Sequence, residues 1–190
     1  MNRVIATCFA VILVSTVVLA QSASKSAIRQ YAAPDGSRAV ITPVGASRES
    51  QIDIYTPHLD KVCSLDFSSE DGEHGYAVAK AGWTADDNFF VFSLENSGGH
   101  APWHTPTEFI SFKKYSPGFH AQVCLLDSYL DNPGITTPDF QLSGPNSVTT
   151  RVYEASKDVT VSLSAITSPP VNGKSRCVPC EYAKSVKFGP

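Results

Sequence analysis

The sequence predicts an all-β fold of antiparallel sheets, with few or no helices. Three observations point there. Short runs rich in β-branched and aromatic residues recur along the chain, a composition that suits pleated strands. Several runs alternate polar and apolar residues, as in Gln51-Ile52-Asp53-Ile54-Tyr55 and in Lys157-Asp158-Val159-Thr160-Val161-Ser162-Leu163-Ser164. That period of two marks strands with one buried face. The 12 Gly and 13 Pro residues supply turn signals between runs, and no segment sustains a helical period.

The predicted strands follow in order. Residues 27–33 and 37–42 flank Pro34-Asp35-Gly36. In such a turn proline presets φ, the aspartate bonds nearby backbone and glycine accepts positive φ. Strands 51–55 and 61–67 come next, then 76–83 and 88–94, joined through Thr84-Ala85-Asp86-Asp87. Within the latter, Phe89-Phe90-Val91-Phe92 reads as core. Strands 108–115 and 119–125 flank Ser116-Pro117-Gly118. After Asn132-Pro133-Gly134 come 140–142, 147–153 and 159–166. From Ser168 onward the composition is that of a linker.

The N-terminus reads as an export signal. Arg3 supplies the charge, an apolar run extends from Val4 to Ala20, and Val18-Leu19-Ala20 precedes the polar Gln21. This predicts a signal peptide over 1–20, cleaved before Gln21. The run is about 17 residues, at the lower limit for spanning a bilayer, so an uncleaved anchor is the competing reading. Residues 21–167 then form one β-rich domain, and 168–190 a tail. Such a domain is large enough to bury a core of its own. It is expected outside the cytoplasm, secreted or periplasmic, with no stable membrane insertion after cleavage.

The net charge of −3 and the absence of a Lys/Arg stripe argue against nucleic-acid binding. Apolar content of 42% argues against disorder.

Two stretches echo each other. Ala33-Pro34-Asp35-Gly36-Ser37-Arg38-Ala39-Val40 leads to Ile52-Asp53-Ile54-Tyr55 and then Val62-Cys63-Ser64-Leu65-Asp66. Thr84-Ala85-Asp86-Asp87-Asn88-Phe89-Phe90-Val91 leads to Glu108-Phe109-Ile110-Ser111-Phe112 and then Val123-Cys124-Leu125-Leu126-Asp127. Units of about 31–82 and 83–130 recur at a spacing of roughly 50 residues, as in propeller blades. These openings resemble TolB-type or WD40-like β-propeller repeats, whose blades begin with a similar turn before an apolar strand. The resemblance implies a duplicated blade-like unit, arranged as a β-sandwich or part of a propeller, and a binding scaffold without catalytic residues of its own. Two units do not close a ring, which takes four blades or more.

Four cysteines remain after Cys8 leaves with the signal: Cys63, Cys124, Cys177 and Cys180. An even count in an exported chain predicts disulfides, in any of three connectivities. Cys63 and Cys124 hold equivalent places in the two units. A bridge between them would close a loop of about 60 residues, worth about 4 kcal/mol in the chain-entropy model. Cys177-Val178-Pro179-Cys180 resembles the redox motif of thioredoxin-like proteins, but no βαβ pattern surrounds it. A local structural bridge, or a link to the body, is the expectation.

The binding-loop candidates are His100, Trp103 and His104, in the long loop before residue 108. His100, His104 and Glu108 have metal-like spacing, but Pro102 and Pro106 forbid the helix that would align them. Extended, they would spread over roughly 26 Å, too far for one ion. The acidic run Glu70-Asp71-Gly72-Glu73-His74 reads as a solvated turn. No catalytic or cofactor fingerprint is present. The sequence thus favours a non-enzymatic exported module that binds a protein or glycan, with no cofactor. A thiol-active protein using Cys177 and Cys180 is the alternative, and a metal-dependent hydrolase using His100 and His104 a further one.

Overall fold

The computed structural model describes residues 27–46, 48–98, 107–114, 119–126, 136–152, 156–166 and 177–180. Twelve strands among them form three antiparallel sheets. The first sheet is the meander β1 (Arg29–Ala32), β2 (Arg38–Pro43), β3 (Ser50–Tyr55) and β4 (Lys61–Asp66), in that order. The second contains β5 (Tyr76–Trp83), β6 (Phe89–Asn96), β7 (Thr107–Lys114) and β8 (Phe119–Leu125). A short β12 (Cys177–Pro179) completes it beside β8. The third comprises β9 (Thr136–Ser143), β10 (Ser147–Val152) and β11 (Lys157–Ser162).

The five-stranded sheet lies in the middle. One of its faces packs on the first sheet, where Ile41, Ile52, Ile54 and Leu65 meet Phe90, Phe92, Leu94, Ile110 and Val123. Its other face packs on the third sheet, where Phe89, Val91, Cys124 and Leu126 meet Phe140, Val148 and Leu163. This explains the apolar run in β6. A strand covered on both faces cannot alternate, so Phe89 through Leu94 are all buried. The single polar member, Ser93, donates its hydroxyl to the Pro138 carbonyl at 2.6 Å. A buried hydroxyl without such a partner would cost stability.

The two aspartate turns occupy corresponding places and are built alike. At the β1–β2 turn Gly36 takes φ of 91°, and Asp35 Oδ1 accepts the Ser37 N–H at 2.9 Å. At the β5–β6 turn Asp86 Oδ1 accepts the Asn88 N–H at 3.2 Å, and Asp87 takes the positive φ, at 59°. Three stacked sheets do not in themselves identify a propeller.

Three elements and the disulfide pairing differ from the sequence reading. β9 begins at Thr136 rather than at 140, although it contains Pro138. It is an edge strand, where a missing N–H is tolerated. The last predicted strand stops at Ser162 and turns into a short α1 (Leu163–Ile166). There the Leu163 N–H bonds the Asn146 carbonyl at 2.9 Å and its side chain enters the second core. The tail holds a strand, β12, whose three residues pair with β8.

The fourth difference is the disulfide pairing. Neither a Cys63–Cys124 nor a local Cys177–Cys180 bridge forms; both tail cysteines link to the body, the other expectation for them. Cys63 bonds Cys180, and Cys124 bonds Cys177. Strand geometry supplies the reason. Cys177 opens β12 and enters the core under the third sheet, whereas Cys180, just past the end of β12, enters the core under the first. Cys177 is also the direct cross-strand partner of Cys124, with Cα atoms 4.3 Å apart.

Candidate functional site

His100, Trp103 and His104 lie outside the described residues, as does the predicted signal peptide over 1–20. What the structure describes is the ground from which that loop departs. It centres on Glu49, which no sequence pattern singled out.

Glu49 precedes β3 and is only 1% exposed. Its carboxylate gathers donors from two loops, the 68–75 turn and the segment that follows β6. Oε2 accepts the Ser69 N–H at 2.8 Å, and Oε1 accepts the Gly75 N–H at 2.6 Å. The hydroxyls of Ser69 and Ser97 lie 2.6 and 2.9 Å from Oε1. Burial pushes the Glu49 carboxyl up, but the Ser69 hydroxyl, the Ser69 N–H, the Ser97 hydroxyl and the Gly75 N–H together outweigh it and hold it below the ordinary range. Hydrogen bonds that favour the charged form have this effect.

Gly75 is required by this approach. A Cβ there would collide with the Phe67 carbonyl and lie 2.5 Å from Glu49 Oε1. The acidic run 68–75 is thereby tied into a defined turn. Asp71 Oδ1 accepts the Glu73 N–H at 3.0 Å, and its carboxylate pairs with the His74 ring. The Glu73 N–H, the His74 ring and the Ser69 hydroxyl hold the Asp71 carboxyl well below the usual range. The Ser69 hydroxyl stands between the Asp71 and Glu49 carboxylates, 2.9 and 2.6 Å from them, with one proton to offer.

The residues on either side of Glu49 build a cleft next to this knot. Ser50 accepts the Val78 N–H on its hydroxyl at 3.2 Å, and Arg29 donates to the Val78 carbonyl at 2.5 Å. Both side chains thus occupy the outer edge of β5, an edge strand, and block sheet extension there. Arg48 pairs with Glu95 at 2.7 Å. Arg29, Arg48, Ser50 and Glu95, with the backbone around Val78, line a cavity of about 350 Å³. That is within the size range of small-molecule sites, roughly 300–1,000 Å³.

Among the described residues, no cluster of three or more His, Cys, Asp or Glu is placed to hold a metal ion. No described helix is long and apolar enough to cross a membrane. All four cysteines of the predicted mature chain are disulfide-bonded, which is compatible with an extracytoplasmic protein. No protein-family model, curated protein or solved structure matches the chain.

The Glu49 knot was missed because its partners come from separate loops. The local signal was slight: a charged pair, Arg48-Glu49, directly before a cleanly alternating strand.

Proposed function

We propose that this chain is an exported, non-enzymatic binding module that engages a protein or glycan through the loops gathered at Glu49. The observation that carries the proposal is the buried carboxylate itself. It joins the β2–β3 connection, the 68–75 turn and Ser97 at the end of β6. A rigid sheet framework that presents fixed loops is the usual arrangement for recognition. Ser97 opens the loop that holds His100, Trp103 and His104. In this reading residues 1–20 direct export, and the stretches of about 31–82 and 83–130 derive from one duplicated blade-like unit.

The disulfides favour this reading over a thiol-active one. A working redox pair cycles between a dithiol and its mutual bridge, whereas Cys177 and Cys180 are each bonded elsewhere. The test places the oxidised protein on an array of extracellular proteins and glycans, beside an insulin-reduction assay. Saturable array binding that Trp103→Ala weakens, without turnover, is expected. Turnover without binding would reverse the assignment.

A further inference from the structure

We infer that the cleft between Arg29, Arg48 and Glu95 is a binding site for a single carboxylate group. Arg48 belongs to the β2–β3 connection and Arg29 and Glu95 to strands, so none of the three lies in the loop that holds Trp103 and the two sites are tested separately.

The charge balance of the cleft comes first. Among the described residues, two guanidinium groups and one carboxylate line it. Glu95 accounts for one cation, through its 2.7 Å bond to Arg48. One positive charge is left over, which suits a monoanion. Glu95 works against a dianion such as phosphate, since a second negative charge would have no cation left to meet it.

Preorganisation comes next. Arg29 is anchored by its bond to the Val78 carbonyl. That bond uses one donor of a planar group that carries five. The anchored guanidinium keeps further donors in fixed directions, the arrangement that carboxylates accept in pairs. Arg48, 67% exposed along its side chain, closes the other side as a movable arm. A ligand carboxylate can take over part of its contact with Glu95 at small cost, because an exposed ion pair is weak.

The strand beneath adds the third element. The β5–β6 register shifts between Val78 and Lys80, so Ala79 stands as a bulge residue without a ladder partner. Bulges disrupt pairing locally and recur beside functional sites. The floor between the two arginines is therefore formed by small residues, Ala77 and Ala79. Among the described residues, these small side chains leave room there for a short chain attached to the carboxylate.

Such a carboxylate comes from a free organic acid or from the C-terminus of a peptide. Both share the group that the arginines read. The experiment is a calorimetric titration of the full oxidised protein with acetyl-dialanine, its C-terminal amide, acetate and inorganic phosphate. Saturable binding of acetyl-dialanine is expected, weakened about tenfold or more in the amide. Arg48→Ala should weaken it to a similar degree without changing the melting temperature. Arg29→Lys should weaken it too, since lysine keeps the charge and loses the fork. Acetate binding as tightly as acetyl-dialanine identifies a free-acid site; acetate binding much more weakly identifies a peptide-terminus site. Equal binding of acid and amide, tighter binding of phosphate, an unaffected Arg48→Ala variant or no saturable binding of any carboxylate would overturn the inference. None of these outcomes bears on array binding through Trp103, so the two proposals fail separately.

Discussion

Cys177 and Cys180 stand three residues apart and enter opposite cores, one on each side of the central sheet. The short β12 is therefore fastened at both ends, by Cys177 to β8 in its own sheet and by the adjoining Cys180 to β4 in the first sheet.

The two bridges should contribute unequally. They span 117 and 53 residues of sequence, which in the chain-entropy model corresponds to about 5 and about 4 kcal/mol. The Cys63–Cys180 bridge also links two sheets, whereas Cys124–Cys177 joins neighbouring strands that already share a ladder. Urea unfolding of Cys63→Ser/Cys180→Ser and Cys124→Ser/Cys177→Ser double variants should show the larger loss in the first. The reverse order would mean that docking of β12 on β8 is the weaker link.

Glu49 should make stability sensitive to acid. Its folded carboxyl is held below the ordinary range, so its contribution is fully present above that range and is lost as pH falls through the lower folded value. Asp86 acts in the same direction. Burial raises its carboxyl, and hydrogen bonds from Thr84, Asn88 and Asn146 more than offset this. Glu49→Gln places an amide against donors that need an acceptor, and should cost about 2 kcal/mol at pH 7. The gap from wild type should narrow in unfolding curves measured near pH 3. A pH-independent gap would refute the electrostatic account.

Gly75→Ala should destabilise by about 3 kcal/mol or more, because the added methyl meets backbone and a hydrogen-bonded carboxylate rather than a flexible side chain. Thermal unfolding followed by circular dichroism would show it. Gly45→Ala is the control. It has open space around it and only its φ of 61° to disfavour alanine, so its loss should be near 1 kcal/mol.

Asp87→Gly should stabilise the fold. Asp87 adopts φ of 59°, and its Oδ1 is buried with no hydrogen-bond partner among the described residues. Glycine removes both penalties, and the expected gain is about 1 kcal/mol after its own entropy cost. A loss on differential scanning calorimetry would instead assign that carboxylate an unseen partner.

The strands were legible wherever their pattern was local. Ile52 and Ile54 alternate with Gln51 and Asp53, and β3 has that burial. The Pro34-Asp35-Gly36 turn forms with the bond its chemistry implies. Pro138 concealed the start of β9, since whether a proline is tolerated depends on the strand's place at a sheet edge. The double burial of β6 was only half legible. Phe89 to Phe92 announced a core, but not that alternate residues serve two different ones. The cysteine pairing depends on β12 docking beside β8, which puts Cys177 opposite Cys124 and leaves Cys180 for Cys63, and nothing local at 177–179 announced that strand. The cleft and the Glu49 knot were not legible, because Arg29, Glu49, Gly75 and Glu95 are brought together by sheet stacking.

The order in which the cysteines leave the ribosome sets a problem in timing. Until residue 177 emerges, the predicted mature chain offers only Cys63 and Cys124 as partners, and these two end up facing different cores. An early oxidant would join them and trap a chain that cannot stack its sheets. A chain so joined reaches the folded pairing only after that bond is undone by thiol–disulfide exchange. Any copy cut short before its final cysteine pair leaves the line with neither lock in place.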